Sequence, residues 1–177
     1  MDKLKKSDLY TLEKYAEVRK DFREQVLEHK KNRRLAIGPN ATLYFEDRMT
    51  LQYQVQEMLR IEKIFEAAGI EEELSAYNPL IPDGKNWKAT FMLEYGDIAE
   101  RRKRLAELTG VEGKVWMQVQ GFDRIVPIYN EDLERSTADK TSAVHFMRFE
   151  LTDDMITALK GGASLSAGID HPKYNHT

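Results

Sequence analysis

The chain has 177 residues, of which 41% are hydrophobic and 32% charged, with a formal net charge of -3 and no cysteine. That length suits one domain, or one domain with an arm, and holds enough apolar material for a core. The missing cysteines exclude disulfides, a thiolate nucleophile, and zinc or iron–sulfur clusters held on cysteine.

No stretch approaches the roughly 18 apolar residues of a membrane span. Met1-Asp2-Lys3-Leu4-Lys5-Lys6 leads into no apolar signal core, so a cytoplasmic protein without a membrane partner is expected. Residues 1–34 hold 11 Lys/Arg against 7 Asp/Glu, and the rest hold 16 against 23. The basic end culminates in His29, Lys30, Lys31, Arg33 and Arg34. Such a run suits phosphate or an acidic protein surface, or is simply a solvated helix end whose cations offset the helix dipole.

In chain order, Ser7 is placed to cap a first helix carrying two apolar stripes, Leu9–Leu12–Ala16 and Tyr15–Val18–Phe22–Val26. The stripes are slightly out of register, so a bend near Arg19-Lys20 is expected. Arg34–Ile37 and Thr42–Asp47 alternate around Gly38-Pro39-Asn40 as a hairpin. A long helix is expected from Met49 to Ala68, stopped by Gly69, then a short one over Glu71–Tyr77 and a proline-stiffened loop, Asn78–Gly84.

The second half changes rhythm. Strands are expected at Trp87–Tyr95, Val115–Gln120, Arg124–Tyr129, Ser142–Leu151 and Ala163–Ile169. Helices capped by Asp97 and Thr152 lie between them, ended by Gly110 and by Gly161-Gly162. The fold class is therefore α+β: N-terminal helices and a β-hairpin, a long central helix, then two β-α-β units forming a mainly antiparallel sheet. That sheet is either a ferredoxin-like sandwich or a curled sheet packed by the long helix. Residues 1–33 read as a helical arm and 34–177 as the α+β domain, a single folding unit.

Polar groups stand where the pattern calls for apolar ones. On the long helix, Leu51, Val55, Met58, Leu59, Ile61, Phe65 and Ala68 define an apolar arc, with Gln52, Gln56, Arg60 and Lys63 opposite. Glu62 falls in the middle of that arc, and Gln54 and Glu57 fall inside it. A carboxylate withdrawn from water costs several kcal/mol unless it is paired, hydrogen-bonded or protonated. These residues therefore either meet partners, such as Arg148 or an arginine from 101–104, or line a cleft.

His145 shares a strand face with Ala143, Met147, Phe149 and Leu151, while Arg148 and Glu150 follow aromatics on the other face. An inward-facing His145 is expected near the long helix or the Asp170-His171 turn. Asp170, His171 and His176 are a candidate divalent-metal set, although their spacing is not helical. No other cofactor is evident. There is no glycine-rich phosphate loop, no serine elbow and no Glu-x-x-His helix. Arg101–Arg104 lie on an amphipathic helix beside Glu100 and Glu107, which suits a solvated face.

The runs Tyr53–Glu62, Ala76–Gly84, Ser142–Leu151 and Gly168–Pro172 together resemble an uncharacterised bacterial family known only as a domain of unknown function. That family's genes commonly sit beside a rubrerythrin-like protein and a heterodisulfide-reductase-like iron–sulfur oxidoreductase. The resemblance implies a redox or peroxide-defence setting and a protein partner that carries the clusters; it carries over no catalytic residue and no oligomeric state.

These residues support three readings. The first is a cytoplasmic accessory or binding protein of that redox system, with a cleft lined by Gln54, Glu57, Glu62, His145, Arg148 and Glu150. The second is an enzyme, metal-dependent or not, with Glu57 or Glu62 as base and His145 as acid or ligand. The third is nucleic-acid binding through residues 29–34.

Overall fold

A computed structural model describes residues 2–177. The chain divides into two compact units: the residues up to Arg33 together with Glu46–Gly84, and Arg34–Phe45 together with Lys85–Thr177. Among the described residues, no helix is long and apolar enough to cross a membrane.

Unit one is helical. A 3₁₀ turn at Lys6–Asp8 precedes helix α1, Leu12–Lys31. Thr11, not Ser7, caps it: its Oγ1 accepts from the Lys14 N–H at 3.2 Å. The helix runs unbroken through Arg19-Lys20. Helix α2 spans Arg48–Ile61 and helix α3 Ala67–Tyr77. A single helix across 49–68 is therefore corrected to two. The break is a Schellman closure: Lys63 takes φ 53°, the Ile64 N–H reaches the Leu59 carbonyl at 2.9 Å, and the Lys63 N–H reaches that of Arg60 at 3.4 Å. Gly69, expected as the stop, sits instead in the first turn of α3, where an added Cβ would lie 2.7 Å from Ile64 Cγ2. Leu4, Leu51, Val55, Leu59, Leu74 and Ile81 form this unit's core.

Unit two is built on two antiparallel sheets. Strands β1 (Arg34–Ile37), β2 (Ala41–Phe45), β3 (Asn86–Leu93), β5 (Ile128–Tyr129) and β6 (Val144–Glu150) form one, in the order β1-β2-β3-β6-β5. Strands β4 (Val115–Val119), β7 (Leu165–His171) and β8 (Tyr174–His176) form the other, in the order β4-β7-β8. Both expected β-α-β units are present, and each runs from the first sheet to the second. Helix α4 (Ile98–Glu107) links β3 to β4, and α5 (Asp153–Lys160) links β6 to β7.

Asp97 and Thr152 cap α4 and α5 as expected, accepting from the N–H groups of Glu100 (2.7 Å) and Met155 (3.2 Å). The strand expected at 124–129 is cut to two residues plus one bridge from Ile125 to Met117, since Pro127 has no N–H to give a ladder. The last residues are an extra strand, and Tyr174 anchors it. Its hydroxyl donates to the Ile37 carbonyl at 2.7 Å and accepts from the Asn40 and Ala41 N–H groups at 2.9 and 3.0 Å. Phe91, Phe149, Leu43, Met117 and Ile169 are at the centre of the core of this unit.

Candidate functional site

Gln54, Glu57 and Glu62 lie in unit one, and His145, Arg148 and Glu150 in unit two. Glu62 is exposed at the C-cap of α2, so its expected burial is corrected: the helix ends before the apolar arc reaches it. Gln54 is exposed too. The buried amide is Gln56, which the arc placed on the solvent side. It reads the Tyr10 peptide, accepting from its N–H at 2.6 Å and donating to its carbonyl at 3.3 Å. Residue 10 lies outside any helix, so no periodicity announces that contact.

Glu57 is the expected paired carboxylate, with other partners than expected. Arg19 holds it through Nε (2.7 Å) and Nη2 (3.1 Å), Tyr15 donates its hydroxyl at 2.7 Å, and Arg60 closes the group at 3.2 Å. Arg19 foremost, then Tyr15 and Arg60, pulls the carboxyl down to about 2 against the opposing effect of burial. The folded value lies below the unfolded one of 4.5, so the stabilisation is complete above about pH 4.5 and is lost as pH falls toward about 2. Glu57→Gln is expected to cost about 1–2 kcal/mol at neutral pH, discounted for partial solvation, and little near the acid end. Urea unfolding at several pH values checks this.

The basic run is likewise engaged inside unit one. His29 Nε2 lies 2.6 Å and Arg33 Nε 3.3 Å from the Asp47 carboxylate, while Lys30 sits over the Tyr53 ring and Lys31 pairs with Glu28.

In unit two, Arg148 is clamped by Glu131, at 2.7 and 3.1 Å, and by Glu150, which also accepts from Asn86 at 3.1 Å. Glu131 foremost, then Glu150, raises the guanidinium pKa further, so this cation never titrates.

His145 faces inward and is fully buried, as expected, but its acidic neighbour is neither on α2 nor Asp170. It is Glu112, on the 3₁₀ turn Val111–Lys114, with Oε2 at 3.9 Å from Nε2. One hydroxyl bridges the pair and a second braces it. Thr141 Oγ1 lies 2.9 Å from His145 Nε2 and 3.2 Å from Glu112 Oε2, and Ser136 Oγ bonds Glu112 Oε1 and lies 2.8 Å from Thr141 Oγ1.

The Ser142 carbonyl, 3.0 Å from Nε2, can only accept, so Nε2 carries the hydrogen. Nδ1 is then left buried with no partner. Burial foremost lowers the His145 pKa and Arg135 adds to it, against Glu112 and the Ser142 carbonyl; the ring is neutral at neutral pH. Glu112, Ser136 and Thr141 escaped the sequence reading because they sit on a 3₁₀ turn and a loop, where no period operates.

Asp170 accepts from Trp116 Nε1 at 3.0 Å and from Arg124 Nη1 at 2.6 Å. His171 meets the Thr109 carbonyl at 3.3 Å and the Lys173 N–H at 3.2 Å, while His176 packs on Tyr174. Pairing of β7 with β8 puts His171 and His176 on one face and Asp170 on the other. Among the described residues, no group of three or more His, Asp or Glu is placed to hold a metal ion.

The fold and these sites define an α+β protein with one helical unit and one two-sheet unit, in which buried polar side chains are tied to one another. Residues 3–177 match the family described as Protein of unknown function (DUF3501), and the chain belongs to that family. It is also similar to a novel protein of unknown function from Burkholderia pseudomallei K96243, known from a crystal structure at 1.90 Å resolution. The TM-score is 0.94 and the identity 50%, over 99% of this chain and 91% of that one. A search of curated proteins returned no match.

Proposed function

We propose that this protein is a cytoplasmic accessory protein of a redox or peroxide-defence system, binding an iron–sulfur oxidoreductase or a rubrerythrin-like partner. The observation that carries this reading is the internal use of its charged candidates. Glu57 is consumed by Tyr15, Arg19 and Arg60, Arg148 by Glu131 and Glu150, and Asp170 by Trp116 and Arg124. The chain also has no cysteine, so any cluster belongs to the partner. The test is calorimetric titration of the purified chain with each of the two purified partners. A saturable complex with either supports the reading, and no heat with both removes it.

An enzyme is the second reading, favoured by the unpartnered Nδ1 of His145, whose other ring nitrogen, Nε2, faces Glu112. Elemental analysis of untagged protein before and after His145→Asn addresses its metal-dependent form. Stoichiometric metal lost in the variant supports it.

Generic DNA or RNA is expected not to bind through residues 29–34, because His29, Lys31 and Arg33 are held by carboxylates of the same unit. Fluorescence anisotropy across a salt series checks this; tight, salt-sensitive binding lost on neutralising Lys30, Lys31, Arg33 and Arg34 is the contrary result.

A further inference from the structure

The turn that ends α2 leaves unit one with an apolar surface that its core does not use. Lys63 in the left-handed conformation reverses the chain so that Ile64 packs on the core while its neighbours point outward. Phe65 is 74% exposed and Ile61 57%. Single exposed apolar side chains are ordinary, but two large ones flanking one turn, with Phe65 the most exposed large hydrophobic residue described, form a patch.

Helix α3 begins two residues after Phe65, and its Ala67, Ala68, Ser75 and Ala76 are exposed and small enough for a close approach. Interspersed with them in sequence are Glu62, Glu66, Glu71 and Glu72, all exposed and none in an ion pair among the described residues. Residues 61–73 hold five glutamates and one lysine. Glu57, Asp47, Glu131, Glu150 and Asp170 are matched by cations; these glutamates are in no ion pair among the described residues. An exposed aromatic next to charged, solvated side chains has the composition of a protein-binding hot spot and its polar rim.

We propose that Ile61, Phe65 and the exposed face of α3 are a docking surface for a partner protein with an apolar pocket rimmed by lysine and arginine. Charge complementarity selects that occupant. A second copy of this chain docking by the same patch would set the acid rim against itself, since a two-fold contact is self-complementary. Anionic membranes and nucleic acids are repelled by the same carboxylates. The proposal deepens the accessory-protein reading and rests on it for the partner's identity.

The test is photo-crosslinking of the full chain in its native host, from Phe65→p-benzoylphenylalanine, with Glu13→p-benzoylphenylalanine as control. The captured protein and its contacted peptide are identified by mass spectrometry. That protein is then purified and its affinity measured for the wild type, for Phe65→Ser, and for Glu62, Glu66, Glu71 and Glu72 changed to Gln. Capture counts only when affinity also falls at least about tenfold in each variant and weakens with added salt. Circular dichroism is expected to show Phe65→Ser folded like the wild type.

An oxidoreductase or rubrerythrin-like protein meeting these criteria supports both the surface and the redox reading. A different protein with a basic-rimmed pocket supports the surface and removes the redox reading. An oxidoreductase that binds Phe65→Ser as well as wild type keeps the redox reading and overturns the surface. Capture of a second copy of this chain, or no enrichment over position 13, overturns it as well.

Discussion

Gly168→Ala is expected to destabilise the protein by about 3 kcal/mol, lowering its melting temperature by about 6–12 °C. The sign opposes ordinary propensity, since glycine inside a strand is usually a weakness that alanine repairs. Gly168 pairs with Trp116 across β7 and β4. A Cβ there would lie 2.4 Å from Trp116 Cζ2, 2.6 Å from Cε2 and 2.8 Å from the His176 carbonyl oxygen.

The indole has little room to retreat. Its Nε1 donates to Asp170, the Arg124 guanidinium lies 3.8 Å from the ring centroid, and Arg124 is itself bridged to Asp170. The His176 carbonyl is backbone of the adjacent strand. Thermal unfolding followed by circular dichroism checks the expectation. Gly96→Ala is the control, with nothing within 4 Å of its added Cβ, and is expected to be neutral or slightly stabilising. An unchanged melting temperature in Gly168→Ala would refute the argument.

This close approach shows where sequence reasoning stops. Caps at Asp97 and Thr152 were legible because cap chemistry is local, written within four residues. The hairpin around Gly38 was legible for the same reason. The end of α2 was not, since Lys63 fills the left-handed position that glycine usually marks. Extending the 100° period across that break placed Glu62 in an apolar arc that no longer existed. Gln54 and Gln56 exchanged roles because the buried partner of Gln56 is a peptide group 46 residues away.

Strand alternation did place His145 inside, and burial of one sheet face is enough to require that. Its partners were another matter. Glu112 and Ser136 approach from segments 33 and 9 residues away in sequence, and tertiary packing, which no periodicity encodes, brings them together.

That group carries the second large effect. Glu112→Ala is expected to destabilise the protein by about 2–4 kcal/mol, because it strands two hydroxyls that have one buried acceptor in common. Ser136 Oγ donates to Oε1 and Thr141 Oγ1 to Oε2, and Thr141 also receives the His145 Nε2–H. Glu112→Gln keeps one acceptor oxygen and is expected to cost about half as much.

The pH dependence has a definite sign. Burial holds the folded His145 pKa below the ordinary 6.5, Arg135 acts in the same direction, and Glu112 and the Ser142 carbonyl oppose them. Asp132 faces Arg135 as its ion-pair partner, and β3 sets the uncharged Phe91 ring beside the imidazole. As pH falls through 6.5 the unfolded chain takes up its proton first, so the stability contributed by the neutral ring is present above that value and lost below it. Replacing the ring by His145→Gln should therefore flatten the decline in stability between about pH 7 and pH 5, whatever it costs at neutral pH. Removing the Glu112 charge should push the imidazole pKa lower still, and NMR titration of the ring in wild type and Glu112→Gln reads this directly. An imidazole in the wild type that titrates above 6.5 would mean that the carboxylate, not burial, governs this site.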